Sequence, residues 1–356
     1  MLPSRYTAIT SSVKAGGFGV VTPVKDEYLD RVVIYKVAKN NNDNDQLMNE
    51  IRLLSKARSH HIVEIYDVIE NSKSEVEGLV IEYLTGKSYE NFHEPEEFEL
   101  EEYKKILYQL ATALSDLHAI SIIHRDLKLE NFKQSSTGIV KLFDFGLSVD
   151  DSDYRTTNNR ATLVYAAPEL FVTGAKIESP LDIYAFGVCA WTLAVPYKSL
   201  PRVLFEHPPQ KTNRVQSIQS IIPHLDPVLV KLIDSCLESD PSKRPTADHL
   251  KQTFYKYLIK NKHVGTIVQD ASNVYFLSHS KPLATIKINN LGTLEVQYDG
   301  LEFKVVSVSG NVYINNIIAQ VGQHLHDACV LTFGAPTNGW NRVFFTFYCS
   351  RPEVIL

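Results

Sequence analysis

The chain has 356 residues, 44% of them apolar and 22% charged, with a formal net charge of −5. That length exceeds one typical compact domain and suits two or three, and the ordinary composition is that of a folded globular chain. The mild acidic excess argues against a nucleic-acid partner or an anionic membrane surface, both of which call for basic stretches.

Cysteines stand at 189, 236, 329 and 349, with no CxxC spacing of the kind zinc sites use. Reduced, buried thiols are expected, and with them a reducing, cytoplasmic setting. The first residues, MLPSRYTAIT, lack the apolar core of a secretion signal. The longest apolar run, AFGVCAWTLAV (185–195), is too short for a bilayer and reads as a core helix, so no membrane span is expected.

In chain order, residues 6–84 read as strand-rich with one helix. VVIYKV (32–37) and GLVIEYL (78–84) are β-branched and apolar, as strands require. Between them Leu47, Ile51 and Leu54 recur at helical spacing, behind a KNNNDND run able to cap that helix. From about 100 to 259 the pattern is helical. Tyr103, Ile106, Leu107, Leu110, Leu114 and Leu117 form one apolar stripe. A short hairpin follows, NFKQ and IVKLF about a turn at SSTG (135–138), then helices near 180–196, 226–237 and 246–259. Residues 260–273 read as a linker. Beyond it Ala284, Ile286 and Ile288 alternate, as do Leu294, Val296 and Tyr298, and Asp299-Gly300 marks a hairpin turn. VYI, CVLTF and RVFFTF add short strands, so 274–356 reads as an all-β domain.

The stretch IIHRDLKLEN concentrates polar groups between apolar runs. Phosphoryl transfer from a nucleotide needs such a set: oxygens for a metal, a carboxylate beside the nucleophile, and lysines for phosphate oxygens. Asp126 suits a hydroxyl proton, Lys128 the transferred phosphate, and Asn131 a metal. The hairpin folds Asp144, in LFDFGLS, back beside Asn131, and magnesium prefers such hard oxygens. Upstream, AGGFGVV (15–21) offers a backbone that glycine lets approach a phosphate closely.

Taken in order, these elements resemble the eukaryotic-type protein kinase family over residues 6–259. GGFGVV is similar to its glycine-rich loop, VIYK to its strand lysine, HRDLKLEN to its catalytic loop, DFG to its magnesium loop and YAAPE (165–169) to the end of its activation segment. The resemblance implies an α+β, bilobal fold: an antiparallel sheet with one helix, then a mainly helical lobe, followed here by a small all-β sandwich. It implies ATP and Mg2+ as cofactors and proteins phosphorylated on serine or threonine as substrates. Lys36 would contact phosphates and pair with Glu50. Asp126, with Lys128, would serve the acceptor hydroxyl. Asn131 and Asp144 would hold the metal. Gly16, Gly17, Phe18, Gly19 and Val21 would cover the nucleotide, Ile81 would be the gatekeeper, and Glu82 to Leu84 the hinge against adenine.

Structural positions match as well. Glu169 would pair with Arg244, in DPSKRPT, and Asp182 would brace the catalytic loop. Lys128, and Thr162 in ATLVYAAPE, resemble the serine/threonine branch, with Ala161 where that pattern has glycine. The loop's first glycine is replaced by Lys14, which is the support for the alternative reading, a kinase-like scaffold. In the family this resembles, the arginine before the catalytic aspartate often meets a phosphate on the activation segment, so Arg125, with Thr156 and Thr157 in that segment, suggests control by phosphorylation there.

The C-terminal region is similar to the latter half of a forkhead-associated domain, through Ser309, Gly310, Asn311, Val312 and Asn315 and then Leu325, Asp327 and Gly334. Ser278-His279 stands where that family has Gly-Arg, which removes the bidentate phosphate partner. A degenerate sandwich for protein docking is expected, rather than a phosphopeptide reader. The kinase family also occurs in bacteria, including as proteins delivered into host cells, so the cytoplasm implied includes a host's.

Overall fold

The structure is a computed structural model. It describes residues 3–9, 14–15, 19–38, 44–73, 75–94, 96, 98–150, 163–210 and 214–356. Two compact units divide the chain inside its last helix, between Phe254 and Tyr255.

The first unit opens with an antiparallel sheet. Its strands are β1 (Tyr6–Ala8), β2 (Lys14–Ala15), β3 (Gly19–Asp26), β4 (Arg31–Ala38), β5 (Ile65–Glu70) and β6 (Val76–Glu82), in the order β1-β3-β4-β6-β5, with β2 paired to β3. The two-residue period of a strand sorts β4 into two faces. Val33 and Tyr35 join Tyr6, Val24, Ile69 and Val80 in one apolar cluster. Lys36 falls on the other face, toward helix α1 (Asn44–Lys56), whose Leu47, Glu50, Leu53 and Leu54 are buried. The KNNNDND run lies mostly outside the described residues.

The chain then turns helical. α2 (Leu100–Ala119) buries all six residues of the stripe read from the sequence. Short strands β7 (Ile122–Ile123), β8 (Phe132–Gln134), β9 (Val140–Leu142) and β10 (Val149–Asp150) follow, paired β8 with β9 and β10 with β7. α3 (Pro180–Ala194) is buried from Leu181 to Leu193. α4 (Pro227–Cys236) starts where a cap predicts, with the Asp226 side chain accepting from the Val228 amide and Pro227 in the first turn. α5 (Ala247–Leu258) completes the set. Among the described residues no helix is long and apolar enough to cross a membrane.

The second unit, Tyr255–Ile355, is built of β-strands after the last turn of α5, with one short 3-10 turn at Pro336–Asn341. Its strands are β11 (Gly265–Asp270), β12 (Asn273–Leu277), β13 (Leu283–Ile288), β14 (Gly292–Tyr298), β15 (Phe303–Gly310), β16 (Val312–Ile314), β17 (Ile317–Ile318), β18 (Ala328–Phe333) and β19 (Val343–Cys349). They form a six-stranded sheet, β12-β11-β19-β18-β16-β17, and a three-stranded sheet, β13-β14-β15. Inward residues of both sheets, among them Ile267, Ile286, Val296, Leu331 and Phe347, share one core. Gly310 makes the turn into β16 at φ +76°, where a Cβ would stand 2.6 Å from the Leu291 carbonyl oxygen.

Two expectations need correction. The linker placed at 260–273 instead contains all of β11, which pairs with both β12 and β19 and buries Ile267. The turn after Tyr298 takes four residues, not the Asp299-Gly300 pair. The Asp299 carboxylate accepts from the amides of Leu301 and Glu302, so pairing resumes only at Phe303.

Candidate active site

The polar stretch around Asp126 is held by groups from four other places in the fold. Asp182, buried near the start of α3, accepts from the His124 and Arg125 amides at 2.8 Å each, and His118 Nε2 lies 2.9 Å from the same carboxylate. Burial alone would raise the pKa of Asp182; the hydrogen bond from His118 and the backbone donors outweigh it and hold the carboxyl below its ordinary range. With this anchor Arg125 keeps a left-handed backbone, φ +68°, which costs a non-glycine residue about 1–3 kcal/mol. The Arg125 guanidinium donates to the Leu147 carbonyl. His124 is enclosed: its Nδ1 accepts from the Asp126 amide, so Nε2 carries the proton toward the Phe143 carbonyl, 3.2 Å away.

The β8–β9 hairpin then returns the chain. The Phe143 amide donates to the Asn131 carbonyl, which places Asp144 next in sequence to a group already tied to the catalytic stretch. Asp144 also has a left-handed backbone, φ +64°. Its carboxylate is 2.9 Å from Lys36 Nζ, and the same ammonium is 2.7 Å from Glu50. Burial would lower the pKa of Lys36, yet the two carboxylates more than offset it and keep the ammonium charged. Burial likewise opposes ionisation of Asp144, and Lys36 overcomes it, holding that carboxyl below the usual range.

Asp126 is buried and accepts from Lys128 Nζ at 2.7 Å and from Asn131 Nδ2 at 2.9 Å. Asn131 Nδ2 also donates to the Asp126 carbonyl, so the amide nitrogen is committed and Oδ1 is the atom left to a metal. Among the described residues no group of three or more His, Cys, Asp and Glu is placed to enclose a metal. The Asp144 carboxylate and the Asn131 amide oxygen are hard oxygen donors of the kind magnesium prefers.

Of the remaining expected positions, Gly19 opens β3 and Val21 stands opposite Lys36 in the ladder. Ile81 and Leu84 are buried. Glu169 and Arg244 form a bidentate pair at 2.6 and 2.8 Å, with the arginine also donating to the Pro180 and Glu238 carbonyls. Gly16, Gly17, Phe18, Thr156, Thr157 and Thr162 lie outside the described residues.

Sequence reasoning missed two lysines. Lys133 donates to the Leu84 carbonyl at 2.9 Å, and Lys141 donates to the Glu82 carboxylate at 2.7 Å. Both come from the β8–β9 hairpin, where they face each other in the ladder. Two like charges in that position repel unless each has its own acceptor. That juxtaposition was the available signal.

The protein kinase domain family matches residues 8–256, well over half of the chain, and the chain belongs to that family. The chain is 28% identical to the probable serine/threonine-protein kinase gdt2 of Dictyostelium discoideum over 274 residues, covering 74% of this chain and 16% of that one. A second probable serine/threonine-protein kinase of the same organism is 31% identical over 250 residues, covering 67% and 26%. Cyclin-dependent kinase-like 2 of Rattus norvegicus is 28% identical over 285 residues, covering 68% and 55%. The chain thus spans less than two thirds of the length of each of these relatives. The family match ends at 256 and leaves the β unit unassigned.

Proposed function

We propose that this chain is a serine/threonine protein kinase that uses ATP and magnesium. The observation that carries the reading is one assembly: Lys36 touches both Glu50 and Asp144, while Asp126 is fixed by Lys128 and Asn131. ATP with its metal supplies the transferable phosphoryl group and neutralises the charge that spreads during transfer. Asp144 and Asn131 would hold the metal. Lys36, kept charged by its carboxylates, would meet phosphate oxygens as an oriented point charge. Asp126 orients the acceptor hydroxyl and takes its proton, and Lys128 steadies the charge beside it. Glu82 to Leu84 serve as the hinge for adenine, behind Ile81, in the two-lobed arrangement of the family. The alternative, an inactive scaffold, rests on Lys14 in the glycine-rich loop and is not the favoured reading, because the charged groups that phosphoryl transfer needs are present and paired.

Serine/threonine preference rests on Lys128 and on the relatives' names. The β unit is read as a docking module; its two sheets around one core support a sandwich, and the exposed His279, in place of an arginine, speaks for protein contact over phosphothreonine binding. Control through a phosphate near Thr156 that meets Arg125 completes the reading, in a reducing cytoplasm.

The test is a reaction with ATP, magnesium and a protein mixture, read by mass spectrometry beside Asp126→Ala. Loss of roughly 100-fold or more is expected for a positioned acid–base group. Equal phosphorylation by both proteins sinks the reading.

A further inference from the structure

The outer face of the six-stranded sheet is chemically unlike the outer face of its neighbour. Three ladder rows cross it: one through Phe276 and Tyr348, one through Val274 and Val330, and one through Phe344 and Ile318. No residue in these rows is charged, and the residues between the named ones are Thr, Val, Ala and Tyr. Phe276, Phe344 and Tyr348 are 53%, 52% and 56% exposed. The turn that leads into β19 leaves Trp340 fully exposed. The three-stranded sheet shows water what such a face ordinarily shows: Lys287, Glu295 and Lys304, with Thr285 bonded to Glu295. One domain therefore carries a solvated face and an apolar one. An apolar patch of this extent on a soluble domain marks a contact surface.

We propose that this face binds a second copy of this chain, sheet against sheet, in an isologous dimer. Charge decides between like and unlike partners. The three rows carry no charge, so they offer nothing to select an unlike partner by charge complementarity, and the rows of a second copy meet them without repulsion, although the chain as a whole is acidic at −5. Arg342, the cation that leans over this face, is occupied: it stacks near Tyr313 and Phe344, at 5.3 and 5.8 Å, and its Nε donates to the Gly334 carbonyl. Area agrees. Half-exposed aromatics with their aliphatic neighbours offer on the order of 600 Å2, so two copies bury on the order of 1,200 Å2, the lower bound of stable specific interfaces. Residues of this kind, large rings ringed by small uncharged ones, are those that carry interface energy. The inference is independent of the phosphoryl-transfer reading.

Sedimentation velocity on the full chain tests it. The wild-type chain is expected to be dimeric at about 100 μM, where an interface of this size is populated. Phe344→Lys and Tyr348→Glu, each on an exposed side chain, are expected to raise the dissociation constant about 30-fold or more, the range of a central interface residue. Lys287→Glu on the other sheet is expected to leave it unchanged, and a thermal melt of each variant shows that it is folded. A monomeric wild-type chain overturns the proposal. So does a dimer that withstands both face substitutions, or a monomer whose face is shielded from labelling by the rest of its own chain.

Discussion

At the scale of residues, the site depends on which charges are enclosed. Lys36 has two carboxylate partners, the enclosed Glu50 and the partly exposed Asp144, and together they fix the position of the ammonium. Lys36→Met is expected to reduce phosphate incorporation by roughly 100-fold or more, the range for a lost electrostatic contact at a reacting group. An unchanged rate would remove Lys36 from the site. A second enclosed acid, Asp26, is 1% exposed and receives Arg5 through Nε and Nη2 at 2.9 and 2.7 Å. Those hydrogen bonds hold its pKa at about 2. An unfolded aspartate titrates near ~3.9, so as the pH falls the unfolded chain takes up this proton first. The stabilisation is complete above about pH 4 and is lost as the pH drops toward 2. Arg5→Met should therefore move acid unfolding, followed by far-UV circular dichroism, to higher pH. The grouping of Asp126 with Asn131 was legible because both sit in one distinctive local string, and the return of Asp144 because a short hairpin precedes it. The Arg5–Asp26 pair was not, since nothing in the sequence links positions 21 residues apart that meet only across β1 and β3.

Elements were legible to the degree that one face differed from the other. The α2 stripe stood out because its opposite face is polar, and all six stripe residues are buried. β11 was hidden for the opposite reason. Gly265 and Ile267 point inward, but the outer face carries Val268, as apolar as Ile267 beside it, so the alternation that announces a strand is blurred. The turn at Pro168–Phe171 and the segment after α4 are joined through Glu169 and Arg244, whose guanidinium side chain is fully enclosed. Removing Arg244 leaves the mostly enclosed Glu169 carboxylate without its partner. Arg244→Met is expected to cost about 3–5 kcal/mol in urea unfolding. Glu169→Gln combined with it should be far from additive. Additive losses would show that the two residues act separately.

For the whole molecule, the position of β11 sets where the chain can be divided. β11 joins β12 to the rest of the six-stranded sheet through β19. A fragment of residues 255–356 is expected to unfold cooperatively in urea. One starting at residue 274 should show no such transition, because it loses Ile267 from the core and leaves β12 without a partner strand. A cooperative transition in the shorter fragment would refute this account of the β unit. The kinase match already stops within α5, at 256, close to the division found from the fold.

The hold of Asp182 on the amides of His124 and Arg125 has a consequence that isotopes can read. Both N–H groups point into a carboxylate carried by another helix, so neither can trade its hydrogen for deuterium until α3 and this loop part company. In heavy water these two sites should keep their protons about as long as the slowest amides of α3, and Asp182→Asn should release them early while the rest of α3 stays protected.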